Sequence, residues 1–338
     1  YAGFEDVSGN NDWAYCSSYD GSGNCISWMK TKVLPAGLFV YALTVFQDRL
    51  YIGAGSAAGA PDAARVFYCN QTLCDDAGDF VELKQFVTAE DHTRVSSFAV
   101  FNGTLHVGMA STYDAEIYKC VTLDGVCDNA GEWSLAFLKD IWGPINSIPS
   151  MAVFNGKLYI GTGDATNRGD VWVCDDVGTL AGCDTTEWGA NPIYNGVTSE
   201  TAVTSLTVFN NRLIAGIQTS GTSAYVKTCP INALGDCTNA AWTSGITITG
   251  LNSIESMIAF NGKLMVGGGW DANFGKLYIC DPDGAGIEPI VCDNAAERSA
   301  PVSGLAAHNM LGAMTVFNGK VYIGAGLGVG GAIYTYGA

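Results

Sequence analysis

The chain has 338 residues, 48% of them hydrophobic, enough to bury a large core in one big repeat domain or two ordinary ones. Only 14% are charged and the formal net charge is −17, which excludes a nucleic-acid partner, whose phosphates demand Lys and Arg, and disfavours an anionic membrane surface. No run approaches the roughly 18 apolar residues of a membrane span, so no membrane insertion is expected, and the opening "YAGFEDVSGN", without Met or a basic-then-apolar leader, is expected to be a processed end.

The first segments read as an incomplete unit. "WAYC" (Trp13 to Cys16) and "CISWMK" from Cys25 match the third and fourth strands of the pattern that follows. Tyr1 precedes Cys16 by 15 residues, the offset between Tyr159 and Cys174, so "YAG" mimics the end of a second strand. From Val45 one pattern then recurs: "VFQDRLYIGAG", "VFNGTLHVGMA" from Val100, "VFNGKLYIGTG" from Val153, "VFNNRLIAGIQ" from Val208, "AFNGKLMVGGG" from Ala259 and "VFNGKVYIGAG" from Val316. Its aromatics Phe46, Phe101, Phe154, Phe209, Phe260 and Phe317 are 51 to 57 residues apart, a period that marks a solenoid, propeller or array. A phosphate-binding Gly loop has no reason to recur in every unit, so the Gly-x-Gly ends are architecture.

In the third copy "SMAVF" is a short apolar strand, Asn155-Gly156 supplies the two positive-φ residues of a type I′ turn, and "KLYIG" is the returning strand. "DVWVC" reads as a third strand and "TTEW" begins a fourth, with no helical period anywhere in the unit. Four short antiparallel strands at this spacing predict a β-propeller blade; a β-solenoid, with shorter coils, is the runner-up. Gly53, Gly108, Gly161, Gly216, Gly267 and Gly324 end the second strands, where a side chain would obstruct the exit or the packing of the next blade.

The order "NGKLYIGTG … DVWVCDD … TTEW" resembles the kelch repeat, with its Gly pair after the second strand, an aromatic on the third and a Trp on the fourth. Only Gly267 to Gly269 carries adjacent glycines, and Cys stands at the usual Tyr position, so the likeness is kelch-like. It implies a propeller fold and leaves function open, because that fold hosts many functions.

Twelve cysteines form one pair per unit: Cys16 and Cys25, Cys69 and Cys74, Cys120 and Cys127, Cys174 and Cys183, Cys229 and Cys237, Cys280 and Cys292. Each first member ends the third strand and each second member is expected to begin the fourth, at a distance that a disulfide bridges. Zinc is the competing reading, but separations from C-x4-C to C-x11-C with three His do not resemble a tetrahedral site. Six hairpin disulfides predict an extracellular or cell-surface location. Asn70-Gln-Thr and Asn102-Gly-Thr are glycosylation sequons.

The end, from "MTVFNGKVYIGAG", supplies first and second strands, and "AIYTYGA" a third with Tyr336 where Cys would stand. The expectation is a single domain over 1–338: a six-bladed ring of four-stranded antiparallel blades, closed by N-terminal strands at about 11–30 joining C-terminal strands at about 312–338. The third strand then occurs at both termini, which leaves three alternatives open: an edge strand, a seventh, partial blade, or pairing with a neighbouring subunit.

Eight residues before each anchoring Phe stand Leu38, Thr93, Asn146, Thr201, Asn252 and Asn309, a largely polar ring expected at the channel mouth. Arg94 and Glu255 are the charges beside it, either satisfying each other or binding a ligand. Trp142 and Trp270 fall in loops on the same face and suit sugar stacking. Trp28, Phe80, Trp133, Trp188 and Trp242 recur on the fourth strand as core. His92 and His308 share a position on one face but with a unit between them, too far for a shared metal, and His106 is a packed strand residue; no carboxylate cluster joins these histidines, and Ser97, Ser150, Ser205 and Ser256 recur as packing residues, so no Ser-His-Asp constellation is expected. Asp164, Asn167, Asp170, Asp281 and Asp283 could offer oxygens to calcium but lack EF-hand spacing, and Arg168-Gly-Asp170 is a weak receptor-binding tripeptide.

The composite expectation is a non-catalytic, secreted or cell-surface propeller with no cofactor, serving as a structural or recognition module for glycan or protein. The alternatives are a subunit that assembles with copies of itself into an extracellular filament or layer, and an enzyme with its site at the channel mouth.

Overall fold

The structure, a computed structural model, describes residues 2–5, 11–21, 25–31, 34–35, 37–56, 59–71, 74, 76–122, 124–137, 145–164, 168–175, 182–243, 245–269, 275–282, 292, 295–302, 308–328 and 332–337. Among them the chain is all-β, with three single-turn 3-10 segments and no longer helix. The strands follow the repeat in seven groups. The first holds β1 (Ala2–Glu5), β2 (Asn11–Tyr19) and β3 (Cys25–Thr31), and the second β4 (Phe39–Phe46), β5 (Arg49–Gly55), β6 (Arg65–Cys69) and β7 (Phe80–Gln85). The third holds β8 (His92–Phe101), β9 (Thr104–Ser111), β10 (Ile117–Cys120) and β11 (Trp133–Phe137), and the fourth β12 (Ile145–Phe154), β13 (Lys157–Asp164) and β14 (Val171–Cys174). The fifth is β15 (Glu200–Phe209), β16 (Arg212–Thr219), β17 (Ser223–Thr228) and β18 (Thr247–Thr249), the sixth β19 (Ser253–Phe260), β20 (Lys263–Gly269) and β21 (Lys276–Cys280), and the seventh β22 (His308–Phe317), β23 (Lys320–Gly328) and β24 (Ala332–Tyr336).

Contacts gather the chain into two compact units, Tyr1–Val153 with Cys174–Gly189, and Phe154–Val173 with Ala190–Ala338. In the first unit β1-β2-β3 form a three-stranded antiparallel sheet, β4 to β7 pair in chain order, and so do β8 to β11. In the second, β15 to β18, β19 to β21 and β22 to β24 do the same.

The inner hairpins form where the sequence places them. Both central residues have positive φ in every turn: Gln47 and Asp48, Asn102 and Gly103, Asn155 and Gly156, Asn210 and Asn211, Asn261 and Gly262, Asn318 and Gly319. That is the type I′ geometry, whose twist matches the strands it joins.

The core lies between the faces of consecutive sheets. Phe46 and Tyr51 of the second group pack with Val95, Leu105 and Trp133 of the third, and Phe209 and Ile214 of the fifth with Ile254, Leu264 and Tyr278 of the sixth. The fourth-strand aromatics are core as expected: Phe80, Trp133, Trp188 and Trp242 are buried, and Trp28 is half-buried. Each buried Trp meets the aromatic that closes the previous group, Trp133 on Phe86, Trp188 on Phe137 and Trp242 on Tyr194, with centroids 4.8 to 5.6 Å apart.

All twelve cysteines are bonded in the six expected pairs, with Cα atoms 5.6 to 6.1 Å apart. The second cysteine does not generally begin the fourth strand. Cys69 is opposite Phe80, Cys120 opposite Trp133 and Cys174 opposite Trp188, so the strand starts several residues after the second Cys. A 3-10 turn intervenes, held by reciprocal capping of Asp76 with Asp79 and of Asn129 with Glu132.

Candidate functional site

β8 and β15 slip near their starts, between His92 and Arg94 and between Glu200 and Ala202. One further slip is shared by every first strand whose register is described; the shared slips fall between Val40 and Ala42, Val95 and Ser97, Val203 and Ser205, Ile254 and Ser256, and Leu311 and Ala313. They leave Tyr41, Ser96, Thr204, Glu255 and Gly312 outside the ladder, all five residues before the anchoring Phe. Pro149, which has no N–H to give a ladder, holds that place in the fourth group. The flanking residues repeat, a Val, Ile or Leu before and an Ala or Ser after, whereas the bulged residue differs every time. Bulges re-aim side chains and are common beside functional sites.

Two bulged residues repair the ladder that they interrupt. Ser96 Oγ donates to the Gly108 carbonyl at 3.2 Å, and Thr204 Oγ1 lies 3.3 Å from the Gly216 carbonyl and 2.7 Å from that of Ile254 on the next first strand. Tyr41 and Glu255 depart from this role. Tyr41 is 37% exposed, with the Arg94 guanidinium 5.0 Å from its ring centroid, a cation–π contact. Glu255 is half-buried; burial pushes its carboxyl up, partly opposed by the nearby Ser253 hydroxyl, which makes no hydrogen bond of good geometry. Arg94 is therefore engaged by an aromatic of its own unit.

Leu38 belongs to the core, and Thr93 is buried and donates to the Ala110 carbonyl at 3.2 Å. Asn146, Thr201, Asn252 and Asn309 are half-buried. In the second unit Thr201 Oγ1, Asn252 Oδ1 and Ser253 Oγ are enclosed without a hydrogen-bond partner among the described residues. Thr201 and Asn252 hold the same register position on the neighbouring strand entries of β15 and β19.

The recurrent serines build the fold. Ser97 Oγ donates to the Ile148 carbonyl and Ser256 Oγ to the Leu311 carbonyl, in each case on the next first strand. His106 is fully buried, as expected of a packed strand residue. His92 has one acidic neighbour that the sequence did not reveal: its Nε2 lies 2.8 Å from Glu116 Oε2, which also accepts the Tyr118 hydroxyl at 2.8 Å. Burial, then this hydrogen bond, pushes the Tyr118 hydroxyl up. The fifth group carries a counterpart missed in the sequence, in which Glu200 takes Lys227 at 2.6 Å, the Tyr194 hydroxyl and the Val197 amide. The first cluster ties β8 to the start of β10 within the third group, the second joins the fifth group to Tyr194, and Glu116 and Glu200 are both buried.

Other candidates are spent on structure or fall elsewhere. Arg168 donates to Asn195, Gly169 donates its amide to the Glu200 carbonyl, and Asp170 is buried and takes the Gly196 amide, so the tripeptide is built into the loop. Asp281 pairs with Lys263 at 2.5 Å. Asn70 and Asn102 are exposed, while Thr104 of the second sequon is fully buried. Trp142, Trp270, Asn167, Asp283 and the side chains of Asp164 and His308 lie outside the described residues. Among the described residues no group of three His, Cys, Asp or Glu is placed to hold a metal.

No protein-family model matches the chain, and no curated protein matches it in sequence. Solved structures do resemble it in fold. Sqt1 from Chaetomium thermophilum is 11% identical with a TM-score of 0.55, covering 99% of this chain and 80% of its own. An arginine-to-alanine variant of AofleA from Arthrobotrys oligospora is 12% identical with a TM-score of 0.52, covering 89% and 86%. The chain is thus an all-β protein with a fold of the β-propeller type. Its six disulfides favour an extracellular or secreted protein, and no described helix is long and apolar enough to cross a membrane.

Proposed function

We propose that the protein is a secreted or cell-surface, kelch-like β-propeller working as a non-catalytic recognition module for glycan or protein. In this reading the chain is one ring of six blades closed by its terminal strands, or of seven with the terminal blades incomplete. The carrying observation is the shared bulge: the side chain it releases from the ladder changes from Tyr to Ser, Thr, Glu and Gly, with Pro at the same place in the fourth group, while the residues on either side of it repeat. A position that is freed from the ladder and differs in every repeat has the form of a recognition position. Oxidation of every cysteine supports the location. The test is a binding screen of native, disulfide-intact protein on arrays of glycans and of extracellular proteins. Specific retention is expected; retention of neither class overturns the reading, and turnover of a bound glycan that Glu255→Ala abolishes replaces it with an enzyme.

Assembly with copies of itself is a second reading, favoured by the seventh group. Phe317 is 49% exposed, whereas Phe46, Phe101, Phe154 and Phe209 are 4% exposed or less. Electron microscopy of native material tests it: filaments or layers are expected, and a strictly monomeric particle overturns it.

A further inference from the structure

The entries of β15 and β19 collect unsatisfied oxygen chemistry that the fold itself does not use. Ser253 is fully buried with its hydroxyl beside the Glu255 carboxyl, and the Thr201 hydroxyl and the Asn252 side-chain carbonyl have no partner among the described residues. Enclosed polar atoms are nearly always hydrogen-bonded in native proteins, so the two orphans on adjacent strand entries are open to a partner beyond the described residues. The Asn252 backbone is already committed, its carbonyl taking the Thr219 amide at 2.8 Å, so the residue is fixed in place while its side-chain oxygen is free. Glu255, released by the bulge, stands three residues further on.

The donor set selects the ligand. Asn252 Oδ1 only accepts, whereas the two hydroxyls both give and accept, so the partner must carry several hydroxyl-type groups close together. It must also be small, because Asn252 and Glu255 are half-buried and Ser253 is wholly so. Among the described residues these four supply one carboxyl and no cation, which suits neither a carboxylate ligand nor a cation that wants several charged oxygens. Burial, which pushes the Glu255 carboxyl toward its neutral form, agrees with an uncharged ligand.

We propose that Thr201, Asn252, Ser253 and Glu255 form a binding site for a neutral sugar. The site rests on the recognition reading and narrows it to one ligand class and one place. Titration calorimetry with free glucose, galactose, mannose and N-acetylglucosamine, and separately with calcium chloride, tests it. At least one sugar is expected to saturate the wild type; Thr201→Val and Asn252→Ala should each weaken it by about tenfold, as loss of one hydrogen bond does. Glu255→Ala should weaken it to a similar degree. Unchanged thermal unfolding of the variants separates lost binding from lost folding. Absence of sugar binding, sugar binding untouched by Asn252→Ala and Thr201→Val, or calcium binding that Glu255→Gln removes each overturns the site. A wild type that still retains glycans or proteins on the arrays leaves the recognition reading standing, and retention of neither fails both.

Discussion

Gly216 and Ile254 meet where two consecutive sheets touch: a Cβ on Gly216 would fall 2.7 Å from the Cβ and Cγ2 of Ile254. The relation recurs between Gly53 and Val95, where the gap to Cγ1 would be 2.4 Å, and between Gly108 and the Ile148 methyl at 3.0 Å. The second-strand glycines are therefore kept for the next sheet's first strand, which occupies the space of their side chain. Gly324 differs, since its nearest neighbour would be the Ala313 carbonyl of its own hairpin at 3.8 Å. Gly216→Ala is expected to cost about 1 to 3 kcal/mol by overpacking, and Gly324→Ala about nothing. Denaturant midpoints of the two variants check this, and equal losses would refute it.

Glu200 makes stability depend on pH. Burial alone would raise its carboxyl, but hydrogen bonds from Lys227, Tyr194 and the Val197 amide, with the Lys227 charge, outweigh it and hold the carboxyl below its ordinary value. A carboxyl lower in the folded than in the unfolded chain stabilises the fold in full above the ordinary glutamate range, and that stability is lost as pH falls through the folded value. Unfolding free energy should therefore decline on acidification below about pH 4.5. Glu200→Gln should flatten that decline and lower stability at neutral pH, because Lys227 is left half-enclosed without its counter-charge. Parallel declines in wild type and variant would show that other carboxyls carry the effect.

The hairpins were legible because their signals are local: a type I′ turn needs two positive-φ residues, and Asn-Gly provides them beside alternating apolar strands. The cysteine pairs were legible for the same reason. The 3-10 turn between Cys127 and Trp133 was not, since the reciprocal Asn129 and Glu132 caps read as an ordinary polar loop. Glu116 could not be joined to His92 without the register of β10, which a variable loop sets. At the candidate site Asn252 and Glu255 were legible as polar breaks in an apolar strand. Tyr41 was missed although its signal was in view, one position that varies between two that repeat; pairing register alone shows that this position is bulged.

Two disulfides separate cross-link entropy from packing. Cys16–Cys25 and Cys174–Cys183 each span nine residues, so the chain-entropy contribution of both should be similar, about 2 to 3 kcal/mol. Cys174 and Cys183 are fully buried, and Gly182, next to Cys183, rests on the preceding sheet, where Lys119 donates to its carbonyl at 3.3 Å and His106 fills the space beside it. Cys16 and Cys25 are only half-buried. Replacing both members of the inner pair by Ser should therefore cost more than replacing the outer pair, by about 1 to 3 kcal/mol for the disturbed buried contacts. Urea unfolding of the two double variants decides it, and equal costs would show that the loop contributes no packing.

Trp188 ties two groups together through one atom. Its ring lies 4.8 Å from that of Phe137 at 70°, and its Nε1–H donates to the Ala136 carbonyl at 2.7 Å. Trp133 makes the corresponding bond inside its own loop, to the Cys127 carbonyl at 3.0 Å. Phenylalanine keeps the ring contact in both cases and leaves a buried carbonyl without its donor, at a cost of about 1 to 3 kcal/mol. The consequences should differ in extent. Trp133→Phe should loosen the Cys120–Cys127 loop, whereas Trp188→Phe should free the end of β11 and the turn before Trp188 together. Amide hydrogen exchange resolves the two patterns: faster exchange is expected at Ala136 and Phe137 in Trp188→Phe and not in Trp133→Phe, and the same pattern in both would remove the link between the groups.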